Sequence, residues 1–516
     1  MSSSAGRVIK NTGWLYGRVL INTFLSLYTT RIILNGLGAA DFGIFNIVGG
    51  AISMLGFLNA AMSSATQRYM SYAEGKGFFD YKGEIFNSSY VLHFVISLFA
   101  TLILIIGGFF FFNGILSIPS DRVWAAKIVY GSLIVSTAIS VISVPYNAVI
   151  TSHENMRFFA ITGIFECFLK LGAAYACIIS NGDKLIIYGI LMAIIPFITL
   201  FIMRFYCHIN YTECKIDRNK WNKDTTIEIA RFAGWNFLGT SSSVVGNYGM
   251  GVVINHFFGV LVNAASGINQ QITGIVMTLS RYMLMSLNPV ITKAEGAGNR
   301  ERMLQMSATG NKFSFFILTL ISIPFFIETD TILKLWLVNV PEWTVIFVKL
   351  QIIRIIIEHH TIVYHTSLNS EGHIANYNKV MSIINILPIL LSIIVFYLGA
   401  EPYAMYLITI AIFGILVSLI RVYFMHINCG LSISNYIFHQ LIPCLLVTLF
   451  LFGIGFIPFF LLNQSLVRLL CVIISLILFG SLVIFYIGLN RDEKILVNNV
   501  YSGIKKKYLS RQSFDN

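Results

Sequence analysis

Charge is scarce in this sequence. Aspartate, glutamate, lysine and arginine together make up 11% of its 516 residues, while 56% are apolar and fall in blocks of twenty or more instead of amphipathic stripes. That pattern excludes an ordinary water-soluble domain and predicts a polytopic helical membrane protein. Cysteines are few and scattered: Cys167, Cys177, Cys207, Cys214, Cys429, Cys444 and Cys471 form no CxxC pair and no His/Cys spacing suited to zinc. They are expected to be packing residues, with no metal and no cofactor. The basic start "MSSSAGRVIKNTGWLYGRVLINTFLSLYTT" lacks a small-residue cleavage site, so it is expected to stay as a first helix.

Apolar blocks dominate what remains. About 20 apolar residues cross the hydrocarbon core, and a lipid-exposed backbone must satisfy its own hydrogen bonds, so each long block predicts a spanning helix. Cutting at polar, glycine- or proline-containing breaks predicts fourteen helices, starting near residues 12, 42, 86, 122, 156, 184, 230, 263, 311, 341, 374, 402, 436 and 464. Pro145, Pro196, Pro289, Pro324, Pro388, Pro443 and Pro458 lie inside these blocks and are expected to kink them.

Basic residues sort by side. With the N-terminus inside, 24 lysines and arginines fall towards the inner side, Arg421 and Lys312 among them, and six towards the outer side. The positive-inside rule then places both termini in the cytoplasm. The basic tail "IKKKYLSRQ" reads as a contact for anionic lipid headgroups, not nucleic acid.

A long inner connection follows six helices, and an offset of 221 residues brings the two flanking halves into register. Gly13-Trp14 falls on Gly234-Trp235, Gly38 on Gly259, Ala73-Glu74-Gly75 on Ala294-Glu295-Gly296, and Gly77 on Gly298. The expected organisation is an N-terminal lobe at 1–208, a linker at 209–229, a C-terminal lobe at 230–430, and two further helices with the tail at 431–516. Parallel repeats of this kind suit a transporter whose halves rock around a midplane site.

Five cations lie within predicted spans: Arg18, Arg31, Lys170, Arg281 and Arg354. Burying each at the bilayer centre costs about 2.5 to 3.5 kcal/mol, so each needs a cavity or a partner. Projection at 100° per residue groups Arg18, Asn22, Ser26 and Thr29 on the first helix, and Asn236, Thr240, Ser243 and Asn247 on the seventh. It groups Gln270, Arg281 and Asn288 on the eighth, Gln351, Arg354, Glu358, Thr361 and His365 on the tenth, and Thr162, Glu166 and Lys170 on the fifth. Together these stripes predict a hydrated, net positive cavity. Glu166 with Lys170 and Arg354 with Glu358 also fit structural i,i+4 pairs, while Glu358 and His365 are candidates for exchanging a proton. Arg31 sits near the outer end of its helix, as a gate or headgroup contact. The glycines after it, Gly36-x-Gly38-x4-Gly43, miss the dinucleotide spacing and predict a turn with Gly36 and Gly38 at positive φ.

"RIILNGLGAADFGIFNIV", "SATQRYMSYAEGKG", "NPVITKAEGAGN" and the plan of six plus six plus two helices resemble the multidrug/oligosaccharidyl-lipid/polysaccharide (MOP) flippase superfamily, and within it the Wzx-type polysaccharide or O-antigen flippases. The resemblance implies an all-α, MATE-like fold in a bacterial inner membrane. It implies alternating access that carries an undecaprenyl-diphosphate-linked oligosaccharide outwards, with a polysaccharide polymerase or export machinery as a possible partner. Arg18, Arg281, Arg354 and Lys170 would hold the diphosphate, while Asn22, Ser26, Asn236, Thr240, Ser243, Asn247 and Gln270 face the sugars. Glu166, Glu358, His365 and Arg31 would serve ion coupling or gating. A MATE-type multidrug or cation antiporter is the nearest alternative. A membrane-integral polymerase or glycosyltransferase is less well matched, because the longest outer connection, about 328–342, is short.

Overall fold

The computed structural model describes residues 2–53, 56–115, 118–337 and 340–499, so the basic tail lies outside the described residues. Within them the chain forms helices and turns and no strand. Ser2–Ser53 is one helical run bent at Gly38, which gives α1 before the glycine and α2 after it, α2 resuming as Gly56–Lys76. Then come α3 (Phe79–Phe110), α4 (Val123–Ser152), α5 (Met156–Ile179) and α6 (Lys184–Asn210). Lys223–Gly296 is bent at Gly259 into α7 and α8. The rest are α9 (Arg300–Ile327), α10 (Thr344–His359, resuming as Tyr364–Glu371), α11 (Ala375–Tyr397), α12 (Ala404–Cys429), α13 (Ile433–Leu461) and α14 (Leu466–Gly488). Among the described residues nine helices are long and apolar enough to cross a membrane: α3 to α6, α9 and α11 to α14.

The repeat is written in backbone angles. Gly38 has φ 77° and ψ 166°, and its counterpart Gly259 has φ 78° and ψ −175°; Gly77 and Gly298 both have φ 73°. A side chain at any of these four would meet no neighbour within 4 Å, so conformation and not space demands glycine there. Gly36 differs from expectation. It stays helical, and a Cβ there would lie 2.5 Å from Cγ1 of Ile178, so it is a glycine because α5 packs against it.

The chain divides into two compact units, Asn11–Thr240 and Ser241–Asn516, the second also holding residues 1–10. The division falls inside α7, and the connection at 211–222 belongs to the first unit. There Asn87 on α3 donates to the Lys215 carbonyl at 3.2 Å and accepts from the Asp217 amide at 2.9 Å. Just ahead of α4, Arg122 bridges Asp41 of α2 and Asp183 at the start of α6, its Nη1 2.8 Å from Asp183 Oδ2.

In the second unit α13 and α14 pack on α9 through an apolar cluster that includes Phe316, Ile323, Val447, Leu451, Val472 and Leu476. Two buried ion pairs flank that cluster. Arg468 Nε lies 2.6 Å from Glu328 Oε1 and its Nη2 2.9 Å from Oε2, while Lys312 Nζ lies 2.6 Å from Glu493 Oε2. Glu328 is 0% exposed and Lys312 2%, so these charges lie in the interior of the unit.

Removing one partner of a buried pair leaves the other charge stranded, which costs about 3–5 kcal/mol. Glu328→Gln is therefore expected to lower the melting temperature far more than Glu328→Leu combined with Arg468→Met. Gly298→Ala should cost about 1–2 kcal/mol through the backbone alone, and Gly298→Asn less, both read by thermal unfolding in detergent.

Candidate functional site

The first unit encloses a cavity of about 190 Å³ between α1, α4, α5 and α6. Prolines shape two of its walls. Pro145 removes a donor and α4 breaks at Ser143, whose hydroxyl donates to the Ser140 carbonyl at 2.7 Å. Pro196 sits inside α6, and Thr199 Oγ1 donates to its carbonyl at 3.0 Å. Thr162 likewise donates to the Phe158 carbonyl at 2.9 Å. With these hydroxyls satisfied by their own helices, the charged groups of the lining are Arg18 and Glu166.

Arg18 has a built seat. Its guanidinium carbon lies 4.4 Å above the centre of the Phe159 ring, and Nη1 reaches the Phe159 carbonyl at 3.5 Å. A Cβ on Gly163 would fall 2.2 Å from Arg18 Cζ and Nε, so the guanidinium occupies the space that the missing side chain leaves. Glu166, one turn on, is 2.7 Å from Lys170. Counting Arg18, Glu166 and Lys170, this region carries one formal positive charge.

The other predicted residues are placed as follows. Asn22 is partly buried with no partner for its Oδ1 among the described residues, while Ser26 is exposed. On α7, Asn236 is buried and its carbonyl accepts from Thr240 Oγ1 at 2.8 Å; Ser243 accepts at its carbonyl from Asn247 at 2.9 Å. Gln270 and Arg281 are exposed on α8, and Arg281 makes no ion pair with any described residue. Arg31 is exposed on α1.

The stripe on α10 is divided. Between His359 and Tyr364 the ladder tightens, with the amides of Thr361 and Ile362 bonding three residues back. Asn311 of α9 accepts from the Val363 amide at 2.7 Å, and Gln440 of α13 reaches the His360 carbonyl while accepting from the Tyr364 hydroxyl at 2.6 Å. Backbone groups freed within the bundle thus find side-chain partners. Beyond the break His365 meets Tyr377 at 3.3 Å and Asn369 at 3.0 Å instead of Glu358. Before it, Arg354 spends Nη1 on Glu358 at 2.6 Å and Nε on Gln351 at 3.2 Å. Arg421, read from the sequence as an inner-side cation, reaches the same carboxylate at 3.2 Å from inside α12 and is only 6% exposed. Its position in the apolar run "VSLIRVYFMHINC" was the available signal.

A further cluster was not anticipated. Glu74, His153 and Glu213 gather donor atoms within 4.8 Å of one another, a spacing that could hold a metal ion. Lys82 Nζ already sits 2.5 Å from Glu74 and 3.8 Å from Glu213, so a cation of the chain itself occupies that place. His153 Nε2 is 2.6 Å from Glu213.

No protein-family model and no curated protein matches the chain. Solved structures do. The crystal structure of a MATE point mutant aligns with TM-score 0.72 at 12% identity, covering 83% of this chain and 96% of that one. The fold is that of the MATE transporters. An outward-facing multidrug resistance MATE transporter of the MOP superfamily gives TM-score 0.71 at 13% identity with the same coverage. A MOP superfamily transporter from Pyrococcus furiosus, described as having a binding pocket of reverse polarity, gives 0.68 at 12%, again over 83% and 96%. At such identities the MATE likeness fixes the path of the chain and nothing more.

Two measurements follow. Gly163→Ala should cost about 1–3 kcal/mol by overpacking, yet be nearly neutral when Arg18→Ala is already present, a coupling that a thermal double-mutant cycle reads. Burial would raise the carboxyl of Glu213, but His153 and Lys82 hold it below its ordinary 4.5. Because the folded value is the lower one, the stability Glu213 contributes is complete above pH 4.5 and is lost as pH falls through the depressed value. Melting curves of the native protein should therefore fall away below pH 4.5, and those of Glu213→Gln should fall less.

Proposed function

We propose that this protein is a membrane transporter that flips an undecaprenyl-diphosphate-linked oligosaccharide across a bacterial inner membrane by alternating access, with both termini in the cytoplasm and no covalent chemistry. The observation that carries the reading is the Arg18 seat. A guanidinium is held on an aromatic face in the cavity of the first unit, where it can offer paired N–H donors to phosphate oxygens. A cavity of about 190 Å³ is below the roughly 300–1,000 Å³ of drug-sized sites, so it suits a phosphate or a single sugar ring and not a whole repeat unit. Arg281, exposed on α8 of the second unit, is an independent candidate for phosphate contact. Arg354 and Lys170 are weaker ones, because each already faces a carboxylate. The polar residues of α1, α7 and α8 are proposed to meet the sugars.

One observation favours a second reading, a MATE-type exporter of cationic compounds. Glu166 lines the same cavity as Arg18 and could receive a cation.

Export of surface polysaccharide by cells that depend on this chain separates the two. Loss of a charge-assisted contact of about 1.5–3 kcal/mol predicts that Arg18→Ala and Arg281→Ala each lower export by roughly tenfold or more at unchanged membrane abundance. Glu166→Gln should leave export largely intact. Normal export by both arginine variants sinks the flippase reading, and loss of cation efflux in Glu166→Gln with normal polysaccharide supports the exporter.

A further inference from the structure

We propose that the second unit binds a small monovalent anion, chloride in physiological salt, beside Arg421. The site is built from residues of the second unit and shares none with the Arg18 cavity.

Three charges meet where α10 and α12 pack. Arg354 Nη1 lies 2.6 Å from Glu358 Oε2, and Arg421 Nη2 lies 3.2 Å from Glu358 Oε1. One carboxylate thus serves two guanidiniums, and the group carries one net positive charge. Arg421 is 6% exposed, and its Nε and Nη1 are buried with no hydrogen-bond partner among the described residues. A guanidinium has only donors, and its N–H groups outnumber the acceptors that Glu358 and the Tyr377 hydroxyl offer Arg421. Leaving a charged donor unmet in the interior costs more than the roughly 1–3 kcal/mol of a neutral one.

The surroundings do not supply the missing negative charge. Tyr377 hydrogen-bonds Arg421 through its hydroxyl and brings no carboxylate. His365 bonds Tyr377 and Asn369, and His359 Nε2 bonds Ser280 and Ser314, so these neighbours add no carboxylate to Glu358. The carbonyl end of the first half of α10 contributes about half a charge, which offsets the excess in part. Water would supply an acceptor and no charge. A diphosphate or a dicarboxylate would bring more negative charge than the site has positive, with Glu358 beside it to repel the surplus. A single-charge anion matches what is left over. Local geometry favours such a site as well: α12 carries a π-helical segment at Ile410–Leu416, shortly before Arg421, and such bulges re-aim the side chains that follow. Phe413 in that segment lies under Arg354, its ring centre 5.7 Å from the guanidinium carbon.

The test is made on the full chain, purified in detergent and melted in sodium chloride and in sodium gluconate at equal ionic strength. The native protein is expected to melt several degrees higher in chloride, with a saturable dependence on its concentration. Arg421→Gln should abolish that increment. Arg421→Lys should keep it with a higher half-saturating concentration. Glu358→Gln raises the net charge of the group to two, so its half-saturating chloride should fall. Crystals soaked in bromide should show anomalous density beside Arg421. Coincident melting curves in the two salts overturn the proposal, as does an undiminished chloride increment in Arg421→Gln. Should Arg421→Gln fail to fold, an unchanged half-saturating concentration in Glu358→Gln overturns it equally.

Discussion

A charge placed among hydrocarbon must be matched where it lies, because neither water nor salt is there to screen it. With 23 carboxylates against 35 lysines and arginines, acids are the limiting partner in this chain. Where they are spent shows what the structure cannot do without. Asp41 and Asp183 both go to Arg122, Glu328 to Arg468, Glu493 to Lys312, and Glu358 to two arginines at once. All but the i,i+4 contact of Arg354 hold together helices that are far apart in sequence. The apolar surfaces between the same helices are non-directional and would tolerate sliding or rotation. Ion pairs with fixed donor geometry select one register from among them.

Glycine supplies the complementary rule. Where the chain turns between α1 and α2, and again between α7 and α8, it does so through one residue in the same unusual conformation, 221 positions apart. The similarity between the halves is faint in side chains and close in backbone angles. Side chains on an apolar surface can drift, whereas a positive φ admits few substitutes.

Much of the fold was legible. The starts expected at 156 and 184 coincide with helices capped by Asn155 and Asp183, whose side chains accept from backbone amides in the first turn. The starts expected at 12 and 311 fall well inside helices that begin at Ser2 and Arg300, because polar turns such as "RERMLQMSATGN" continue the helix past the apolar block. The break in α10 was hidden for a different reason. Asn311 and Gln440, which satisfy it, lie 52 and 80 residues from the groups they bond, and no local pattern announces them. The site was half legible: the polar stripe pointed to Arg18, and the spacing of four pointed to Glu166. Gly163 was silent, since a glycine chosen to make room for a guanidinium looks like any other in an apolar run. Ser143 and Asn147 were marked only by the proline between them.

The two pairs that tie α14 and the residues just after it to α9 lie sixteen residues apart along the chain, at Lys312 and at Glu328, the residue that follows α9. At 1.5 Å per residue this is about 24 Å, most of the thickness of a bilayer. A body pinned at one point can swivel, and a body pinned at two widely separated points has lost that freedom. α9 and α14, with α13 packed on them through the apolar cluster, therefore move as one body, and any bending of this unit must be taken up elsewhere, at a break such as that in α10.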